Sequence, residues 1–500
     1  MSWLDLAVLA VYFAGITLFG AFFYGRSKTA EGFTAAGGRL SGLVVGVSIF
    51  GTYLSSITFL ALPGKAYTKD WGALAFSLSL PVAAYIAVKW FVPLYRKLDD
   101  VSAYAYLERR FGLWARLYAA TCYLLTQQAR MGTILFLVAL ALESLTGWDI
   151  IPVIILTGVS VMAYAALGGI EAVIWTDVAQ SVILTLGALV SAGALLLKMP
   201  EGPGQLFSIT ADSGKFSMGS FEPSFYSATF WTVLIYGLFI NLQNFGIDQS
   251  YIQRYKTASS LDAARRSVWI GALTYIPVSA LFLFIGAGLF AFYSASPELL
   301  PPELAAQGMG DKVYPHFIVT QLPPGMVGLV IAALMAAAMS TIATSLNSSA
   351  TVLLTDMRER LSAKPMTDRE KVAFLRVSTL LLGLLGTGIA LLMISIKTAL
   401  DAWWNLAGIF SGGMLGLFLL GALSRRTGSV QALAGVAVGV VVIAWATFAR
   451  EPGAWFSNPL DSLMTVVIGT LAIFITGGIL SRGQKRMEKL ETVFDLNVDR

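Results

Sequence analysis

Apolar runs long enough to cross a bilayer as helices alternate with short polar segments along the whole chain. Thirteen spans are expected, near residues 4–24, 42–64, 73–95, 117–145, 149–167, 172–197, 228–250, 267–293, 319–355, 372–396, 401–423, 429–448 and 461–481. Two are interrupted in the middle. Residues 50–63 read FGTYLSSITFLALP, and Gly51, Thr52, Ser55, Ser56 and Thr58 are poor material for an unbroken lipid-facing helix. Helix breakers are tolerated at membrane depth only where protein or a water-filled cavity satisfies the freed backbone groups. The plainer alternative is a kinked helix whose small residues pack against a neighbour. The second interruption, Asn241, Leu242, Gln243, Asn244, Phe245 and Gly246, falls in the seventh span. With the first helix set apart, each broken helix opens a set of five, spans two to six and seven to eleven. Interrupted helices at corresponding places in two halves point to an inverted-repeat transporter. The expected division is a first helix and link over 1–40, one repeat over 41–200, a second over 201–424, and two further helices with a short tail over 425–500.

Composition agrees with an all-α, polytopic membrane protein: 56% of the 500 residues are hydrophobic and 13% charged. A single cysteine, Cys122, excludes a disulfide framework, and a single histidine, His316, excludes histidine metal clusters. No catalytic His, Cys or paired-carboxylate cluster stands out, so an enzyme is not expected. The net charge of +5 reflects the loops. With the N-terminus outside, 25 of the 34 Lys and Arg fall in inner segments and seven in outer ones, Lys89 and Arg130 being intramembrane. That bias is what the positive-inside rule demands and puts the C-terminus in the cytoplasm. Arg26 and Lys28 follow the first apolar run rather than precede it, which argues for a retained span and not a cleaved leader.

The ninth span carries Ala337, Ser340 and Thr341 at i, i+3 and i+4, hence on one helix face. A carbonyl and two hydroxyls set against carbonyls of a broken helix make a neutral oxygen cage for a hard monovalent cation. The structural alternative is hydroxyls bonded back to their own i−4 carbonyls. Intramembrane charges are costly and tend to be functional. Arg130, mid-span in QQARMGTIL, is a forked cation suited to a carboxylate, or else to a structural acidic partner or helix C-terminus. Asp177, in EAVIWTDVAQS, either serves a cation or anchors a network at the inner end. Lys89 lies near the inner end of span three, where a lysine snorkels.

The stretches LSSITF (54–59), KAYTKDW (65–71), GGIEAVIWTDV (168–178), YIQRY (251–255) and SLNSS (345–349) give the chain a resemblance to the sodium:solute symporter family. Within it the chain resembles the bacterial sodium/sialic acid branch. The resemblance implies the LeuT-type five-plus-five inverted repeat, with one helix before it and two after. It implies a coupling-sodium site made of Gly51, Leu54, Ala337, Ser340 and Thr341. An additional sodium in some members would use Ser55, Asp177, Ser340 and Thr344 here, but Ala343 stands where those members have a hydroxyl. In the sialic acid branch an arginine at the Arg130 position binds the substrate carboxylate, and Ser55 and Thr58 match that pocket. Tyr53 stands in place of a threonine, and Ala73 and Ser77 in place of a Phe and a Gln.

The function expected from this reading is sodium-coupled import of a small carboxylated solute, with N-acetylneuraminate leading, by alternating access in the plasma membrane. Substrate would lie between Ser55, Thr58, Arg130 and the broken helix around Asn241 and Asn244, with the protein working as a monomer in the lipid bilayer. A symporter for a sugar, monocarboxylate or amino acid is the alternative. A membrane sensor or an uncoupled cation channel on the same fold is the rival from another class.

Overall fold

A computed structural model describes residues 1–98, 100–305, 309–362, 364–394, 412–449 and 456–484. The long helices, in chain order, are α1 (Trp3–Ala21), α2 (Gly42–Tyr53), α3 (Ser56–Thr68), α4 (Leu74–Lys97), α5 (Leu113–Thr146), α6 (Ile150–Leu197), α7 (Phe230–Ile247), α8 (Gln249–Thr257), α9 (Leu261–Ala295), α10 (Met326–Val352), α11 (Asp368–Met393), α12 (Gly412–Leu423), α13 (Ser429–Phe448) and α14 (Met464–Leu480). Among the described residues, nine helices are long and apolar enough to cross a membrane, and ten when the bent pair α2–α3 counts as one span. The expected thirteen exceeds that number, and the difference lies at α6, α12 and α14. Helices α12 and α14 are apolar but shorter. The expected span 401–423 is described only from residue 412, and the tail beyond residue 484 lies outside the described residues.

Helix α6 is hinged at Gly169, whose φ of 60° and ψ of −157° leave helical geometry. A side chain there would collide with the Phe33 backbone, so both the left-handed φ and the close approach require glycine. The two arms flank α10 in opposite directions. On the first arm, Val153 and Leu156 line a pocket with Ile331 and Met335, and Tyr164 Oη donates to the Met339 carbonyl at 3.2 Å. On the second arm, Asp177 meets Ser340, and Gly187 lies against Val330 and Ala333. Helix α10 is the centre of the bundle, with every residue from Val330 to Val352 buried.

The first mid-span break exists, and the second helix break falls past the expected place, near the end of its span. Helices α2 and α3 meet at a 55° bend. Leu54 (φ −82°, ψ 113°) and Ser55 (φ −119°, ψ 168°) are extended, and Ser55 Oγ caps α3 by accepting from the Thr58 N–H. Helix α2 therefore ends with carbonyls at Gly51 to Tyr53 that have lost their i+4 donors. The interruption expected at 241–246 is absent there: α7 runs unbroken to Ile247, and the break falls at Asp248. The reason is lateral. Asn241 Nδ2 donates to Ser79 Oγ of α4 at 2.9 Å, so the amide is satisfied without opening the helix. Asp248 (φ −75°, ψ 121°) ends α7 and caps α8, accepting from the Ser250 N–H at 2.8 Å. The freed carbonyls of Phe245 and Gly246 are met by the Tyr255 and Tyr95 hydroxyls at 3.0 and 2.6 Å.

One end of the bundle is tied by charge. Arg116, 1% exposed, donates to Asp356, Glu108 and Asp100 at 2.5, 2.8 and 3.0 Å. Glu171 beside the α6 hinge joins Arg26 and Arg39 at 2.6 and 2.5 Å. Arg96 donates to the Tyr255 and Ala258 carbonyls at the end of α8.

Candidate functional site

The expected ion-binding set converges where α2 breaks against α10. Thr341 Oγ1 lies 3.0 Å from the Ala337 carbonyl and 3.4 Å from the Leu54 carbonyl, joining the two helices. Ser340 Oγ donates to Asp177 Oδ1 at 2.7 Å. That bond spends the hydroxyl proton on the carboxylate and leaves the oxygen lone pairs for a cation. Gly51 packs against Asp177 and Ser181 on α6, and a side chain at Gly51 would strike Ser181 Oγ. Gly51, Leu54, Ala337, Ser340 and Thr341 thus share one neighbourhood of neutral oxygens in which Ser340 is oriented from behind by a fixed acid. The chemistry fits a hard monovalent ion.

Asp177 itself is not free. Its Oδ2 accepts from Ser48 Oγ at 2.6 Å and from Arg254 Nη2 at 2.8 Å, both partners being fully buried. The same Nη2 donates to Thr344 Oγ1 at 2.8 Å, Nε to Ser48 Oγ at 2.8 Å, and Nη1 to the Ser250 carbonyl at 2.7 Å. Of the residues expected for an additional sodium, Asp177, Ser340 and Thr344 are together, but they surround a resident guanidinium. Ser55 is elsewhere, bonded at the start of α3.

Substrate-site expectations divide into two groups. Tyr53 stacks near Tyr251, Tyr275 and Phe245, with ring centroids 5.2, 5.3 and 5.8 Å away. Its hydroxyl is buried without a closed hydrogen bond and faces Asn244. Ser55 Oγ is 3.5 Å from Thr58 Oγ1, and the Tyr275 hydroxyl reaches Thr58. Arg130 lies within electrostatic reach of Tyr251, Tyr123 and the Asp248 carboxylate. Yet among the described residues Arg130 makes no hydrogen bond and no ion pair within 4 Å. Tyr53, Ser55 and Thr58 therefore gather at the α2–α3 break, with Asn244 facing Tyr53, and Arg130 stands near the α7–α8 break. Asn241 is engaged with α4, Ser77 Oγ accepts from Ser279 Oγ at 2.8 Å, one turn along α9 from Tyr275, and Ala73 stands at the start of α4. Lys89 is exposed, its ammonium 4.9 Å from the Trp90 ring.

Sequence reasoning missed Arg254, Asp248 and Tyr275. The signal for the first was present: a buried acid such as Asp177 demands a cation, and YIQRY supplied one assigned to a loop.

The profile of the Sodium:solute symporter family matches residues 33–439. The chain belongs to that family. It is 35% identical over 472 residues to a sodium/sialic acid symporter (NanT) of Aliivibrio fischeri, covering 94% of this chain and 92% of that protein. It is 34% identical over 477 residues to a sodium/sialic acid symporter (SiaT) of Proteus mirabilis, covering 94% and 95%. A solved Na+-coupled sialic acid symporter in a substrate-bound, outward-open state superimposes with a TM-score of 0.89 at 32% identity, covering 97% of this symporter and all of that chain. The all-helical, LeuT-like architecture and sodium as coupling ion follow from these matches.

Proposed function

We propose that this symporter imports sialic acid, N-acetylneuraminate, together with sodium. The observation that carries the reading is Arg130, a forked cation with no hydrogen-bond or ion-pair partner among the described residues, near Tyr251 and Asp248 at the α7–α8 break. A guanidinium without a fixed protein partner gains most from a bidentate carboxylate. The 34–35% identity to two sodium/sialic acid symporters supports that choice of carboxylate.

Sodium at Gly51, Leu54, Ala337, Ser340 and Thr341 would tie α2 to α10 and fix the α2–α3 break. That break is continuous with Ser55 and Thr58, so each bound species favours the geometry the other needs. Such coupling is reciprocal by linkage. The 41–200 and 201–424 repeats would rock against one another, with the N-terminus outside, the C-terminus cytoplasmic and a monomer sufficient. The Arg116, Glu171 and Arg96 ties then lie at the cytoplasmic end and hold it shut. One sodium per cycle is favoured, because Ala343 offers no side-chain oxygen and Asp177 is already ion-paired. One sodium with one monoanion moves no net charge, whereas an unbalanced charge would gain about 2.3 kcal/mol per 100 mV.

The test is sodium-gradient-driven uptake of labelled N-acetylneuraminate into proteoliposomes, with unlabelled sugars and organic acids as competitors. Uptake that needs inward sodium and is blocked only by sialic acids supports the reading. Sodium binding without uptake moves the substrate to another carboxylate, and sodium flux without any substrate favours a channel.

A further inference from the structure

We propose that Ser181 Oγ is a further oxygen ligand of the transported sodium ion, extending the set at Gly51, Leu54, Ala337, Ser340 and Thr341 from five oxygens to six. The inference rests on that reading of the sodium site. Ser181 is 4% exposed, and its hydroxyl has no hydrogen-bond partner among the described residues. Serines and threonines inside helices ordinarily bond back along their own helix. The other hydroxyls of this arm do so: Thr176 to Val173, Thr185 to Ser181 and Ser191 to Gly187. Ser181 does not. Leaving a buried hydroxyl unmet costs about 1–3 kcal/mol, so the group calls for a partner outside the chain.

Its position identifies the partner. A Cβ on Gly51 would lie 2.6 Å from Ser181 Oγ, so the hydroxyl occupies the space that glycine leaves open. Gly51 is where α2 runs out of i+4 donors, and its carbonyl is one of the proposed ligands. Along α6, Asp177 faces Ser340 and Gly187 faces Val330 and Ala333, with the two helices antiparallel. Moving one turn from Asp177 to Ser181 therefore moves one turn back from Ser340, to the level of Ala337. Ser181 thus presents a neutral oxygen to the same neighbourhood from a third helix. It also gives Gly51 a role: any side chain there would displace the hydroxyl.

The experiment is sodium titration of the purified full chain in detergent, without substrate, against choline at constant ionic strength. Binding is read by calorimetry and by sodium-dependent thermal stabilisation. Ser181→Ala is expected to weaken sodium binding roughly fivefold to twentyfold while the melting temperature in choline stays near wild type. Ser181→Cys keeps the volume and replaces the hard oxygen with sulfur, so it should weaken sodium similarly. Gly51→Ala should weaken sodium in the wild-type background and cost little more on top of Ser181→Ala. Ser340→Ala is the reference. If Ser340→Ala weakens binding and neither Ser181 variant does, Ser181 is not a ligand and the five-oxygen site stands. If Ser340→Ala also binds as wild type, the site reading itself falls. Additive losses for Gly51→Ala and Ser181→Ala would likewise overturn the shared-space argument.

Discussion

Two arginines near the α7–α8 break, both within electrostatic reach of Asp248, have opposite surroundings. Arg254 is fully buried and donates to Ser48, Asp177, Thr344 and the Ser250 carbonyl, linking α2, α6, α8 and α10. Arg130, partly buried on α5, has no hydrogen-bond or ion-pair partner among the described residues. A guanidinium whose donors all point at fixed acceptors is part of the framework. One without such acceptors among the described residues is free to take part in binding, the role proposed above for Arg130.

The largest effect should come from emptying the saturated site. Arg254→Leu leaves Asp177 buried without its cation and strips a donor from Thr344 and Ser250, which should cost about 3–5 kcal/mol. The expected outcome is loss of monodisperse folded protein on size exclusion, partly recovered when Asp177→Asn is added. A variant that folds and melts like wild type would show that the network is not structural. Arg130→Ala should behave in the opposite way. Stability in detergent should stay within about 1 kcal/mol of wild type, while N-acetylneuraminate binding falls at least about a hundredfold and sodium binding persists. Arg130→Lys should recover only part of the affinity, because an ammonium lacks the bidentate fork. Unchanged uptake in Arg130→Ala would remove the carboxylate role.

Much of this contrast was legible in the sequence, but unevenly. The break at Gly51 to Ser55 and the Ala337, Ser340, Thr341 face could be read because both follow local rules, helix-breaking composition and i, i+3, i+4 spacing. Arg130 could be read because a mid-span charge has no local explanation. Arg254 was missed although Asp177 called for a cation, because it sits just past a span end, where a cation is ordinarily a loop residue; its burial is a tertiary fact. The second break was misplaced for a related reason. Asn241 to Asn244 look like breakers, yet Asn241 is satisfied sideways by Ser79, while Asp248 does the breaking by capping α8. The Gly169 hinge falls between expected spans five and six, and its left-handed backbone with the Phe33 contact accounts for the glycine.

Ser340 touches both the proposed ion site and the Asp177 network. Ser340→Ala removes a proposed sodium ligand and the hydrogen bond to Asp177 Oδ1. Sodium affinity should fall roughly tenfold, about 1.4 kcal/mol, with a smaller loss of stability. A sodium titration unchanged from wild type would take this face of α10 out of the site.

The smallest effect is expected at Thr344, one of the acceptors of Arg254, where Thr344→Ala leaves the other three in place. The loss in stability should be about 1 kcal/mol or less, that of a single hydrogen bond. The informative readout is sodium stoichiometry. If the guanidinium already fills the place between Asp177 and Thr344, removing the Thr344 hydroxyl takes nothing from an ion. Sodium activation should then stay hyperbolic, and uptake of a monoanion should stay insensitive to membrane potential. If a second sodium instead displaces Arg254 during the cycle, wild type should show sigmoidal activation and inward current. Thr344→Ala would then make the activation hyperbolic. The weakest substitution in the series therefore decides whether Arg254 is a permanent counter-ion or one that yields its place.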